Sequence, residues 1–145
     1  MNNLNTSLIE IHETQSPGFV PMVDSAHWRV AFLNFEGDSL PNKLKEFQRH
    51  DESDEVFVLL TGRCILFLGG KESAVCHIYA QELEPHKIYK VRRRVWHAQA
   101  LSPGTKLLIV ENRNTSPVNS PRLDFTDHQR TEILSMTRLI WGEEY

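Results

Sequence analysis

Gln48-Arg49-His50-Asp51-Glu52-Ser53-Asp54-Glu55-Val56-Phe57-Val58-Leu59-Leu60-Thr61-Gly62 gathers a histidine, an acidic cluster and an apolar run closed by a glycine into fifteen residues. Residues two apart on a strand share a face, so Gln48 and His50 point the same way. Glu55 opens the next strand after a four-residue connection and, in a hairpin, returns to the neighbourhood of His50. Phe57 and Leu59 continue the face of Glu55, while Val56, Val58 and Leu60 line the other. The strand is therefore apolar on both sides and reads as doubly buried. A carboxylate at its head is costly to bury alone; a metal ion, an arginine or a polar ligand supplies the missing partner. A further histidine, His97, stands at the start of a later apolar run.

Outward from this stretch the chain reads as short strands. Segments rich in Val, Ile, Leu, Phe and Tyr predict them at 8–12, 28–35, 44–50, 55–60, 64–68, 74–80, 87–91, 95–101 and 107–112. Turn chemistry separates them at Glu36-Gly37-Asp38, Gly69-Gly70-Lys71, Glu84-Pro85-His86 and Ser102-Pro103-Gly104. Turns recurring this often, with no helical pattern between them, predict an antiparallel sandwich or barrel. Residues 113–121 are polar and broken by prolines, and read as a surface linker. A closing helix follows. Thr126 and Gln129 match a capping box, and Ile133, Leu134, Met136, Leu139, Ile140 and Trp141 recur at helical spacing before Gly142. Its apolar face either packs on the barrel or joins a dimer interface.

A chain of 145 residues suits one domain with a core of its own. A net charge of -3 gives no general attraction to polyanions, and nothing reads as a DNA-recognition helix, so nucleic acid is excluded as an expected partner. No segment reaches the roughly 18 apolar residues of a membrane helix and no leader pattern opens the chain, so a cytoplasmic location without membrane contact is expected. Cys64 and Cys76 lie in apolar runs without a paired spacing and are expected as reduced core residues.

The stretch from His50 to Gly62 resembles the first motif of the cupin superfamily, which ends His-x-His, three or four residues, Glu, six residues, Gly. Six residues separate Glu55 from Gly62, His50 holds the second histidine position, and Gln48 stands where the first is usual. Asn42 occupies the position of the leading glycine. The second motif is carried by His97, with His86 at its leading glycine, Arg92 and Arg94 at its proline and second glycine, and Leu101 at its asparagine. The resemblance covers roughly 28–112 and is nearest to short single-domain bacterial cupins of the cupin-2 type. It implies an all-β fold, a cupin-type double-stranded β-helix (a jelly-roll barrel), with a C-terminal α-helix. Residues 1–125 would then form a single barrel whose core spans about 28–112, with a helix at 126–142 packed on the same domain.

By the same resemblance His50, Glu55 and His97 are metal ligands, and Gln48 takes the place of the fourth. Two imidazoles and a carboxylate suit a divalent transition metal, Fe, Mn, Ni or Zn, with positions open for ligand or water. The residues themselves equally allow a hydrogen-bonded His50–Glu55 pair without metal, and Glu52, two residues from His50, as a substitute ligand. Arg94, in the turn before His97, is expected to clamp an anionic group, and Gln99, Tyr89 and Phe57 to line the pocket. Single-domain cupins pair, so a homodimer joined through edge strands is implied. Two functions compete at this point. One is a metal-dependent isomerase, epimerase, lyase or dioxygenase acting on a small sugar or carboxylate; the other is a non-catalytic cupin that binds such a metabolite without metal.

Overall fold

The computed structural model describes residues 7–145. Among them ten strands precede one helix: β1 (Gly18–Asp24), β2 (Trp28–Asn34), β3 (Glu46–Gln48), β4 (Glu55–Thr61), β5 (Cys64–Leu68), β6 (Tyr79–Glu82), β7 (Tyr89–Val91), β8 (His97–Leu101), β9 (Lys106–Asn112), β10 (Arg122–Asp124) and α1 (Asp127–Trp141). They form two five-stranded sheets, β1-β2-β9-β4-β7 and β10-β3-β8-β5-β6, with antiparallel pairing throughout. The architecture is the all-β jelly-roll sandwich with one C-terminal helix.

Alternation along the strands builds the space between the sheets. Ala31, Leu33, Phe57, Leu59, Leu107 and Ile109 of the first sheet meet Cys64, Leu66 and Leu101 of the second. Each large side chain removed from water here contributes roughly 1.5–3 kcal/mol. The opposite face of the second sheet carries Phe47, Ile65, Phe67, Trp96, Ala98 and Ala100, and it is covered by Phe125 and by Ile133 and Trp141 of α1. The helix therefore spends its apolar face on the barrel. Its start is the expected capping box: Gln129 N donates to Thr126 Oγ1 at 3.2 Å, and Thr126 N donates to Gln129 Oε1 at 2.9 Å.

Several expected strands move. Residues 8–12 form no strand and lie exposed. The segment expected at 74–80 is irregular up to Ile78, and its strand slips to Tyr79–Glu82. Val75 and Ile78, three apart, both turn toward the helix, where Gln129 Nε2 donates to Val75 O at 2.8 Å. Strand β1 escapes the reading because Pro21 interrupts it; a proline is tolerated on this edge strand, where the register slips between Pro21 and Val23. Strand β10 lies just beyond the polar segment read as a linker and pairs with β3, setting Arg122 opposite Gln48. Cys64 is buried, whereas Cys76 is exposed rather than in the core.

Candidate metal centre

Three strands and one loop bring the site together. His50 follows β3, Glu55 opens β4 and His97 opens β8, all three side chains pointing between the sheets and all buried. Their ligating atoms lie within 4.8 Å of one another. His50 Nε2 is 3.1 Å and His97 Nε2 2.9 Å from the same atom, Glu55 Oε2. Phe57 is fully buried and sets its ring edge-on against His97, with centroids 6.1 Å apart, so it props the imidazole from below. Gln48 is the cross-strand partner of His97 and lines the cavity above it.

The outer nitrogens decide which protonation state the histidines hold. His97 Nδ1 donates to Val95 O at 3.0 Å, since a carbonyl can only accept. Ser120 Oγ donates to Asn119 Oδ1 and is left to accept from His50 Nδ1 at 2.7 Å. Neutral imidazoles held this way turn both Nε2 lone pairs toward one carboxylate oxygen. The 2.9 Å contact of His97 lacks hydrogen-bond direction, and its Nε2 is buried without a hydrogen-bond partner. A cation between the three atoms would satisfy all of them at once. Two donors at right angles about 2.1 Å from an ion stand about 3 Å apart, which is the spacing found here. Backbone and hydroxyl acceptors on the outer nitrogens are the usual support for metal-bound histidine. The donor set fits a divalent transition metal.

Electrostatics follow from this packing. Burial alone would raise the carboxyl of Glu55, but the two histidines outweigh it and hold it at about 2. Burial pushes His50 down and Glu55 more than compensates, so His50 is raised above its ordinary value. In metal-free protein the Glu55 contribution to stability is present above about 4.5 and fades as pH falls toward 2, whereas the His50 contribution is lost as pH climbs through its raised value.

A second acid enters the cavity from β9. Leu107, Ile109 and Glu111 share the inner face of that strand, and Glu111 is buried opposite Arg29 of β2, with Arg29 Nη1 3.7 Å from Glu111 Oε1. Burial first, then the nearby charge of Glu55, raise the carboxyl of Glu111 to about 7. A carboxyl raised from 4.5 to about 7 favours the folded state at low pH and weakens it as pH rises through that interval. Glu111→Gln is therefore expected to stabilise chelator-treated protein by roughly 3 kcal/mol at pH 8 and to leave it unchanged at pH 4, on a scale of about 1.4 kcal/mol per pKa unit. Urea unfolding at the two pH values checks this; equal effects at both would refute it.

The cavity above these groups has a volume of about 570 Å³. Gln99 lines it. Arg94 does not: it occupies a turn with φ +68, its side chain is exposed, and its backbone N donates to His50 O at 2.7 Å. Tyr89 also stays outside the cavity lining, its hydroxyl accepting from Glu84 N at 3.0 Å. Phe57 lies beneath His97 and not on the wall. The guanidiniums that do reach the cavity are Arg29 and Arg122, and both are already paired, Arg29 with Asp24 and Arg122 with Glu46. Glu52 is no substitute ligand: its carboxylate accepts from Asn114 and Asn119 and thereby pins the 113–121 segment. Thr115, Ser116 and Ser120 of that segment form part of the cavity wall. Alternation marks Glu111 and Arg29 in the sequence as polar residues at inward positions, whereas nothing in its composition marks the linker.

A Streptomyces PAC13 variant with uridine superimposes with a TM-score of 0.55 at 11% identity, covering 82% of this chain and 88% of that one. The Thermoanaerobacterium thermosaccharolyticum QdtA 3,4-ketoisomerase in complex with TDP gives 0.54 at 15% identity, over 79% and 75%. Both share the jelly-roll barrel of this chain. BH2720 from Bacillus halodurans follows at 0.53 and 12% identity, over 70% and 74%. At these identities the likeness is one of fold. No protein-family model matches the sequence, and no curated protein matches it. No helix among the described residues is long and apolar enough to cross a membrane.

Proposed function

We propose that this cupin holds a divalent transition metal, Fe, Mn, Ni or Zn, on His50, Glu55 and His97, and uses it to act on or bind a small polar metabolite in the cavity. The observation that carries this reading is the pair of imidazole nitrogens aimed at one carboxylate oxygen, one of them buried without a hydrogen-bond partner. A bound ion would act as a Lewis acid toward an oxygen of the ligand. Gln48 would stand beside the ion with an amide where cupins usually have an imidazole. Glu111 and Gln99 would meet the rest of the ligand by hydrogen bonds. Because Arg29 and Arg122 are already paired with acids, the cavity wall favours hydroxyl groups over a free carboxylate, and a sugar or nucleoside fits better than a dicarboxylate. The uridine named with one of the similar structures belongs to that chemistry.

A second reading, a cupin that binds its metabolite without metal, draws on Gln48 and on the His50–Glu55 contact, which needs no ion when His50 is protonated. A thermal-shift panel of sugars, nucleosides and carboxylic acids, run on chelated and metal-supplied protein, separates the two. Stabilisation by sugars or nucleosides that requires metal is expected. Equal stabilisation in chelator supports the metal-free reading, and no response to any compound in either state would refute a ligand-binding role.

A further inference from the structure

Residues 113–121 join β9 to β10, and their composition leaves them without an apolar anchor. Val118 is the one aliphatic side chain among them, and it is 97% exposed. No side chain of the segment enters either hydrophobic cluster of the described residues. A segment held by polar bonds alone opens at a free energy far below that of global unfolding. This one nevertheless forms a wall of the cavity, with Thr115, Ser116, Pro117 and Ser120. A weakly held piece of chain thus borders the candidate ligand site.

Its two ends are fixed by backbone bonds. Arg113 N donates to His27 O at 3.1 Å, and at the far end Asp51 N donates to Asn119 O at 2.9 Å and Arg49 N to Pro121 O at 3.2 Å. Between these ends the turn at 114–118 folds onto Asn119: Asn119 N donates to Ser116 O at 3.1 Å, and Ser116 N donates to Asn119 Oδ1 at 2.9 Å. Beyond the local bond from Thr115 N to Asn112 O, the turn is tied to the barrel through one carboxylate oxygen among the described residues. Glu52 Oε2 accepts from Asn114 Nδ2 at 3.0 Å and from Asn119 Nδ2 at 3.2 Å. Thr115 works against this closed arrangement, since its Oγ1 is sealed from water with no hydrogen-bond partner. A buried hydroxyl left unpaired shifts an equilibrium roughly tenfold or more toward a state that hydrates it, and opening the turn does so.

We propose that residues 114–118 are a lid on the cavity, latched by Glu52 and biased toward opening by Thr115, and that a small metabolite enters when the latch releases. Glu111 stands at the root of this lid, buried on the inner face of β9 and on the cavity wall, so opening uncovers it. The gating role rests on the cavity being the place where a metabolite binds, and it needs no metal. Two side chains acting in opposite senses set the balance between closed and open. Loss of the Glu52 carboxylate raises the open population, and loss of the unpaired Thr115 hydroxyl lowers it.

Residue-resolved hydrogen exchange of the full chain, in chelator and without ligand, tests this. Glu52→Ala is expected to speed exchange of the Thr115 and Ser116 amides about tenfold, and Thr115→Val to slow that of Ser116 by a similar factor. Amides of β4 and β9 should keep their wild-type rates in both variants. Access to the cavity is read from Glu111→Cys in a Cys76→Ser background, where Cys64 is buried, as the rate of modification by a bulky maleimide. Adding Glu52→Ala should raise that rate and adding Thr115→Val should lower it, each by the factor seen in exchange. Exchange at Ser116 that is unchanged by Glu52→Ala, or faster in Thr115→Val, would overturn the lid. So would labelling that stays constant while exchange changes, since the turn would then move without controlling entry. Both readouts are taken without ligand, so their failure overturns the lid alone, and a silent thermal-shift panel beside the expected rates overturns the ligand-binding role alone.

Discussion

Glu55→Gln is expected to lower affinity for a divalent transition metal at least about a hundredfold. Loss of a charged ligand removes the anion that holds the ion between two neutral imidazoles, and even a supporting contact to a metal ligand is worth about 10 to 100-fold. If the trio were only a structural hydrogen-bonded cluster, the same substitution would destabilise the protein and leave metal binding untouched. Metal titration followed by calorimetry, beside urea unfolding in chelator, separates these outcomes.

Gly62→Ala is expected to remove roughly 4 kcal/mol or more, a large part of the 5–15 kcal/mol that holds a typical domain. Gly62 sits at φ +77 in the turn between β4 and β5, and a Cβ built there lies 2.3 Å from Thr105 Oγ1 and 2.5 Å from Thr105 Cα. Backbone strain alone costs about 1–3 kcal/mol. Thr105 has no freedom to retreat, since its hydroxyl donates to Arg63 O at 2.9 Å and accepts from Arg63 N at 3.1 Å. Trimming Thr105 to alanine in the same chain should recover little, because the backbone Cα itself is in the way. An unfolding loss below about 1 kcal/mol would show that the turn adapts, and the steric argument would fail.

These residues also show what the amino-acid order reveals and where it stops. The spacing from His50 through Glu55 to Gly62 was legible because side-chain direction and turn geometry are both local consequences of strand periodicity. His97 was legible through the second motif, although both glycine positions of that motif are altered. The backbone keeps the motif's shape there: His86 has φ +66 and Arg94 φ +68, left-handed values that glycine adopts without strain. That geometry is why Arg94 points to solvent, and it could not be read from an arginine in a loop. Arg29 and Glu111 were within reach, each an inward polar position on an otherwise apolar face. Ser120 was not, because its hydrogen bond to His50 spans seventy residues and depends on Glu52 holding the loop through two asparagines. The slip of β6 had its cause outside the strand, in a helix that claims Val75 and Ile78.

Elemental analysis of untagged protein, purified without chelator and compared with His97→Ala, tests the proposed metal site directly. About one transition-metal ion per wild-type chain is expected, and little or none in the variant. Metal far below one per chain in both, unchanged by supplying Fe, Mn, Ni or Zn, would contradict a metal centre on His50, Glu55 and His97.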